Sequence, residues 1–141
     1  MTLRKPRTKG GAGYSGTPLP KKLGIAEGGR VLVKNGPPHL DDLLAPLPDG
    51  VTLSTRAQGS FGTILFFTKR RAELARALPA LEPKLADKGG LWVCWPKKAS
   101  KVETDVTEDV VRAEMPAHLV DVKVCAVDET WSGLRLMRRR R

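Results

Sequence analysis

Gly89-Gly90-Leu91-Trp92-Val93-Cys94-Trp95-Pro96-Lys97-Lys98 is an apolar run too short for a helix, entered through two glycines and closed by a proline and two lysines. Polar and small residues follow before a capped helix begins near Thr107. This grammar predicts a central parallel strand whose carboxyl end opens onto a loop and the next helix, the place where open α/β sheets put their ligands.

The neighbouring segments extend that sheet. Arg30-Val31-Leu32-Val33-Lys34, closed by Asn35-Gly36-Pro37-Pro38, reads as a first strand. Leu40, Leu43, Leu44 and Leu47 fall at helical spacing and are cut off by Pro46 and Pro48. Val51 to Thr55 reads as a second strand. It is either an edge hairpin partner or a parallel strand reached by an extended loop, because Thr55 to Gly62 is too short for a crossover helix. Phe61 to Thr68 lacks alternation, which predicts burial on both faces next to the opening strand.

Lys69 to Lys88 is expected to be helical, with Leu74, Leu78, Leu81 and Leu85 on one face, a break near Pro79, and Gly89-Gly90 as its stop. A helix after Thr107 takes Asp105 or Thr107 as N-cap. Val120 to Val127 and Trp131 to Met137 are joined too tightly for a crossover, so they form an antiparallel pair. The expected fold class is α/β: a three-layer, mostly parallel sheet with a C-terminal antiparallel strand pair.

The chain has 141 residues and a formal net charge of +10. Its basicity belongs to the ends. Residues 1–26 carry six bases and no acid, residues 135–141 carry five arginines, and the span between is close to neutral. Residues 1–20 are rich in glycine and proline and poor in apolar side chains, so they are expected to form a largely disordered leader on which Tyr14 and Leu19 can reach the domain surface. Residues 21–137 are the single α/β domain and 138–141 an arginine tail. Weak, salt-dependent binding of nucleic acid or another polyanion through residues 1–22 and 135–141 is one expectation. No apolar stretch approaches a membrane span, and no apolar leader reads as a signal peptide, which makes the cytoplasm the default.

Chemistry-bearing residues gather at the carboxyl end of the opening strand. Trp95, Lys97 and Lys98 stand there, with Ser100, Thr104 and Thr107 as further donors. Asp105, Glu108 and Asp109 would compete with any anion and turn the loop into a salt-bridged strap. If Val120–Val127 runs parallel to the opening strand, Asp128, Glu129 and Trp131 join the same rim. Adjacent carboxylates with no nucleophile beside them argue against catalysis, and tryptophan favours binding. The expected binding set is therefore Trp95, Lys97, Lys98, Ser100, Asp128, Glu129 and Trp131. His39 and His118 are not at metal-ligand spacing, so no metal site is expected. Cys94 and Cys125 read as core residues on neighbouring strands.

The order strand, helix, strand, Leu81-Glu82-Pro83-Lys84-Leu85-Ala86-Asp87-Lys88-Gly89-Gly90-Leu91-Trp92-Val93, helix and terminal strand pair resembles the later half of a methyltransferase-type Rossmann sheet. That resemblance implies a cofactor pocket after strand one. The residues there are Asn35-Gly36-Pro37-Pro38, one glycine followed by two residues with no N–H to donate. Strand two ends in Ser54, Thr55 and Arg56 where an acid for ribose hydroxyls is expected. No cofactor is therefore expected.

The blocks Tyr14 to Gly24, Trp95-Pro96-Lys97-Lys98 and Asp121 to Gly133 are similar to those of a small actinobacterial family without an assigned activity. These readings point to a non-catalytic binding or regulatory protein with a protein partner. The alternatives are a divergent enzyme acting on a small anionic substrate at the rim of Lys97, Lys98, Asp128 and Glu129, or nucleic-acid binding driven by the tails.

Overall fold

Apolar β-branched and aromatic runs form the strands Arg30–Lys34 (β1), Thr52–Ser54 (β2), Phe61–Phe67 (β3), Leu85–Pro96 (β4), Leu119–Ala126 (β5) and Trp131–Arg138 (β6). The computed structural model describes residues 17–139, in which these strands make one six-stranded sheet ordered β2-β1-β3-β4-β6-β5. The first four strands in that order are parallel, β6 is antiparallel to β4, and β5 is antiparallel to β6. The helices are Leu19–Lys22 (α1), Leu40–Leu44 (α2), Arg71–Leu81 (α3) and Glu108–Glu114 (α4).

Two separate cores show that both faces of the sheet are covered. On one face Leu74, Leu78 and Leu81 of α3 and Val111 of α4 pack with Ile64, Phe66, Leu91, Val93 and Trp95. On the other, Leu40 and Leu44 of α2 and Leu23, just after α1, pack with Leu65, Phe67, Trp92 and Trp131. The alternation of Leu91, Val93 and Trp95 against Trp92 and Cys94 is the strand period of two, with apolar residues on both sides. The buried Trp92 Nε1–H donates to the Leu23 carbonyl at 2.9 Å, tying the segment after α1 to the sheet.

The second strand is parallel to β1 and reaches β3 by an extended loop. Arg30 holds that loop: its guanidinium donates to the carbonyls of Ser60 at 2.8 Å and Gln58 at 2.9 Å, and lies 4.4 Å over the Phe61 ring.

Three expectations need correction. The helix expected through Lys88 ends at Leu81. Pro83 then starts a 3-10 turn, Glu82–Lys84, and the strand begins at Leu85 rather than Gly89. A proline cannot donate the N–H that would carry the helix onward, so Leu85 joins the same core from a strand. Secondly, Cys94 and Cys125 are not on neighbouring strands: Gly133 of β6 lies between them, paired with each. With strands ~4.8 Å apart, the two cysteines exceed the ~7 Å Cα separation that a disulfide tolerates. Thirdly, α1 starts inside the span assigned to the leader, with Pro20 buried. Arg138 of the expected tail belongs to β6 and donates to the carbonyls of Glu82 at 2.9 Å and Leu85 at 2.7 Å. Tyr14 and the rest of the leader up to residue 16, with Arg140 and Arg141, lie outside the described residues. Among the described residues no helix is long and apolar enough to cross a membrane.

Candidate functional site

Chain order and strand order reverse at β1. From β1 the chain steps outward to β2, then crosses back to β3 on the other side. The connections leaving β1 and β3 pass to opposite faces, which opens the carboxyl edge of the sheet beside β1. A cleft of about 430 Å³ lies next to it, on the β2 side, lined by Val33 to Pro38, Leu40 and Asp41 from the β1–α2 segment and Leu53 to Thr55 from β2.

The cleft owes its shape to local rules. Asn35 adopts a left-handed backbone (φ 59), and its amide donates to the Phe67 carbonyl at 3.2 Å and to Glu73 at 3.0 Å, anchoring the loop over β3. A Cβ on Gly36 would meet Val33 Cγ1 at 2.7 Å and Leu40 Cδ2 at 3.0 Å, so glycine is demanded by the packing of strand against helix. Ser54 closes β2 with its hydroxyl turned onto its own chain, donating to the Arg56 carbonyl and accepting from the Arg56 N–H. Asp41 is exposed at the cleft and makes no ion pair among the described residues.

The rim expected from the sequence assembles in part. The Lys97 N–H donates to the Thr130 carbonyl at 2.7 Å, so the end of β4 and the β5–β6 turn do meet. The two tryptophans do not share a groove. Trp95 is buried in the core beneath α3 and α4, whereas Trp131 is buried on the opposite face, edge-on to Phe67 at 5.1 Å. Ser100 donates to the Lys97 carbonyl at 2.6 Å and accepts from the Val102 N–H, and is thus spent on its turn. Thr104 donates to the Lys69 carbonyl at 2.7 Å, and Thr107 caps α4 by accepting from Val110. Asp105 caps α3 instead of α4, accepting the Arg71 N–H at 2.6 Å. Lys98 and Glu129 are exposed.

Asp128 has a partner that spacing could not reveal. Its Oδ2 lies 2.8 Å from His39 Nε2, and its Oδ1 accepts the N–H groups of Thr130 at 2.9 Å and Trp131 at 2.7 Å. The carboxylate is largely buried and oriented by backbone, while the imidazole is half exposed between cleft residues Pro38 and Leu40. Its Nδ1 has no hydrogen-bond partner among the described residues. Such an arrangement positions an imidazole to accept a proton. Burial pushes the Cys94 thiol well above its usual range, with Cys125 and Asp128 adding to the shift; burial raises Cys125 too. Both thiols stay protonated at neutral pH. Among the described residues no group of three or more His, Cys, Asp or Glu side chains is placed to hold a metal ion.

Solved structures share this architecture. A "putative type 11 methyltransferase" from Sulfolobus solfataricus matches with a TM-score of 0.62 over 87% of this chain and 90% of its own, at 14% identity. The fold is that of the Rossmann-like methyltransferases. TrmN from Thermus thermophilus matches with a TM-score of 0.54 at 12% identity, covering 86% of this chain and 47% of its own. No protein-family model matches the chain, and no curated protein is similar to it in sequence.

The functional expectation is corrected accordingly. A non-catalytic binding or regulatory protein, a rim enzyme and tail-driven nucleic-acid binding were read from a missing glycine motif and from charge. The finding against the non-catalytic reading is that the solved structures sharing this sheet are described as methyltransferases. Pro37 and Pro38 remove donors that a diphosphate needs, yet S-adenosylmethionine carries no phosphate. Its ribose diol and ammonium call for acceptors, as Asp41 offers, its carboxylate for a cation, as Lys34 offers, and its adenine for apolar walls, as Val33, Leu40 and Leu53 offer.

Proposed function

We propose that the chain is an S-adenosylmethionine-dependent methyltransferase whose cofactor site is the cleft at the carboxyl ends of β1 and β2. The observation that carries the proposal is a cleft at the carboxyl ends of β1 and β2, beside the reversal of strand order, in a sheet of the methyltransferase type. Asp41 holds the ribose hydroxyls or the ammonium. Val33, Leu40 and Leu53 enclose the adenine, with Thr55 at the mouth. When bound, the cofactor supplies an electrophilic methyl group. The protein's own task is then to orient an acceptor and remove its proton, and His39, held by Asp128, is the group for the second step.

Calorimetric titration with S-adenosylmethionine and S-adenosylhomocysteine tests this. Both should bind, NAD should not, and Asp41→Asn should weaken binding about tenfold, equivalent to ~1.4 kcal/mol. No heat of binding and no thermal shift with either sulfur compound would sink the proposal.

A further inference from the structure

We propose that the α1-side face of the sheet carries a second site, for a small phosphate-type oxyanion, formed by Arg135, Lys123 and Lys22. It lies away from the β1 cleft, nearer the amino end of β4, and does not depend on the methyltransferase reading. Arg135 and Lys123 are direct cross-strand partners on β6 and β5. Like charges directly opposite on an antiparallel pair repel one another. Arg135 makes no ion pair among the described residues, and its Nε is buried with no hydrogen-bond partner.

The guanidinium is held where it lies. It occupies space left by two glycines: a Cβ on Gly90 would overlap Arg135 Nε, and one on Gly24 would come within 3.1 Å of Nη2. Trp92, paired with Arg135 on β4, forms the neighbouring wall. Lys22 closes α1 beside this place, and it and Lys123 lie near enough to Cys125 for their charges to act on its thiol. Arg135 and Lys123 are thus neighbours on one face of the sheet, with Lys22 at the end of α1 on the same side.

Among the described residues no carboxylate forms an ion pair with Arg135, Lys123 or Lys22. Asp121, two residues before Lys123, points to the other face, where it accepts from Arg112 at 2.8 Å. Asp128 lies toward the carboxyl rim and is engaged by His39 and two backbone N–H groups. A buried guanidinium N–H without an acceptor is costly, and a tetrahedral oxyanion supplies acceptors to a guanidinium and two ammonium groups at once.

The experiment compares melting temperatures in inorganic phosphate and in sodium chloride at matched ionic strength, for the full chain and for Lys123→Gln and Arg135→Gln. Phosphate at ten times its dissociation constant should raise the wild-type melting temperature by about 3 °C or more. The rise should vanish in either variant. In chloride, Lys123→Gln should melt above wild type, because the cross-strand repulsion is gone; this arm needs no stable Arg135 variant. Equal wild-type melting in phosphate and chloride, or a phosphate shift that survives Lys123→Gln, overturns the site.

Discussion

Arg112 shows how one exposed side chain ties two elements together. It pairs with Glu108 and Asp109 on its own helix, and across to Asp121 on β5 at 2.8 Å. The hydrogen bond from Arg112 holds the Asp121 carboxyl below its ordinary range, with a further contribution from the Asp121 backbone. A carboxyl whose folded pKa is depressed stabilises the fold above its unfolded pKa, and that contribution disappears as pH falls through the folded value. Asp121→Asn should therefore lower the melting temperature at pH 7, and the gap to wild type should close on acidification below the ordinary carboxylate range. A gap that stays constant down to pH 3 would show that the carboxylate's charge is irrelevant. Both partners are exposed, so the effect is small. The Arg112–Glu108 pair follows from helical spacing, whereas the Asp121 pair joins residues on different elements.

At the level of elements, β6 controls the sheet's second half. It inserts between β4 and β5, and its Gly133 sits where Cys94 and Cys125 flank it. A Cβ there would lie 3.0 Å from Trp92 Cε3 and 3.4 Å from Cys94 Sγ. Trp92 is fully buried and fixed through its indole N–H, so the ring has little freedom to yield. Gly133→Ala should destabilise by about 1–3 kcal/mol, the usual penalty for overpacking a dense core, read from urea unfolding midpoints. No change in midpoint would mean that the ring relaxes freely. The antiparallel pairing of β5 with β6 was legible in their short connection, because three residues cannot make a crossover. The insertion of β6 beside β4 was not, since either strand of a hairpin can face the sheet without altering its own sequence pattern.

Among the described residues the middle of the sheet, β3 and β4, is covered on both faces, and this has a chemical consequence. Cys94 is fully buried and Cys125 nearly so, each with its thiol held protonated by burial. Neither can reach the other across β6. Native protein should therefore resist iodoacetamide at pH 7.5 and take up two equivalents after denaturation, with the native rate following global unfolding. Prompt labelling of the native chain would place one thiol at the surface and contradict the packing.

The amino-acid sequence by itself determined the strands, the capped and proline-bounded helices, the class of sheet and the end of β4 as a place of interest. These follow from local rules: side-chain period, proline's missing N–H and the length a crossover needs. Tertiary structure decided what those places hold. Trp95 and Trp131 sit on opposite faces because strand parity, set by pairing, assigns each side chain its side. His39 and Asp128 meet across 89 residues of sequence because α2 and the β5–β6 turn share the carboxyl rim. The cleft beside β1 arises from the reversal of strand order, which no local pattern encodes. Asp41 could be read from the sequence as a helical residue; its position in that cleft could not, because a site is a meeting of elements, and only their packing brings them together.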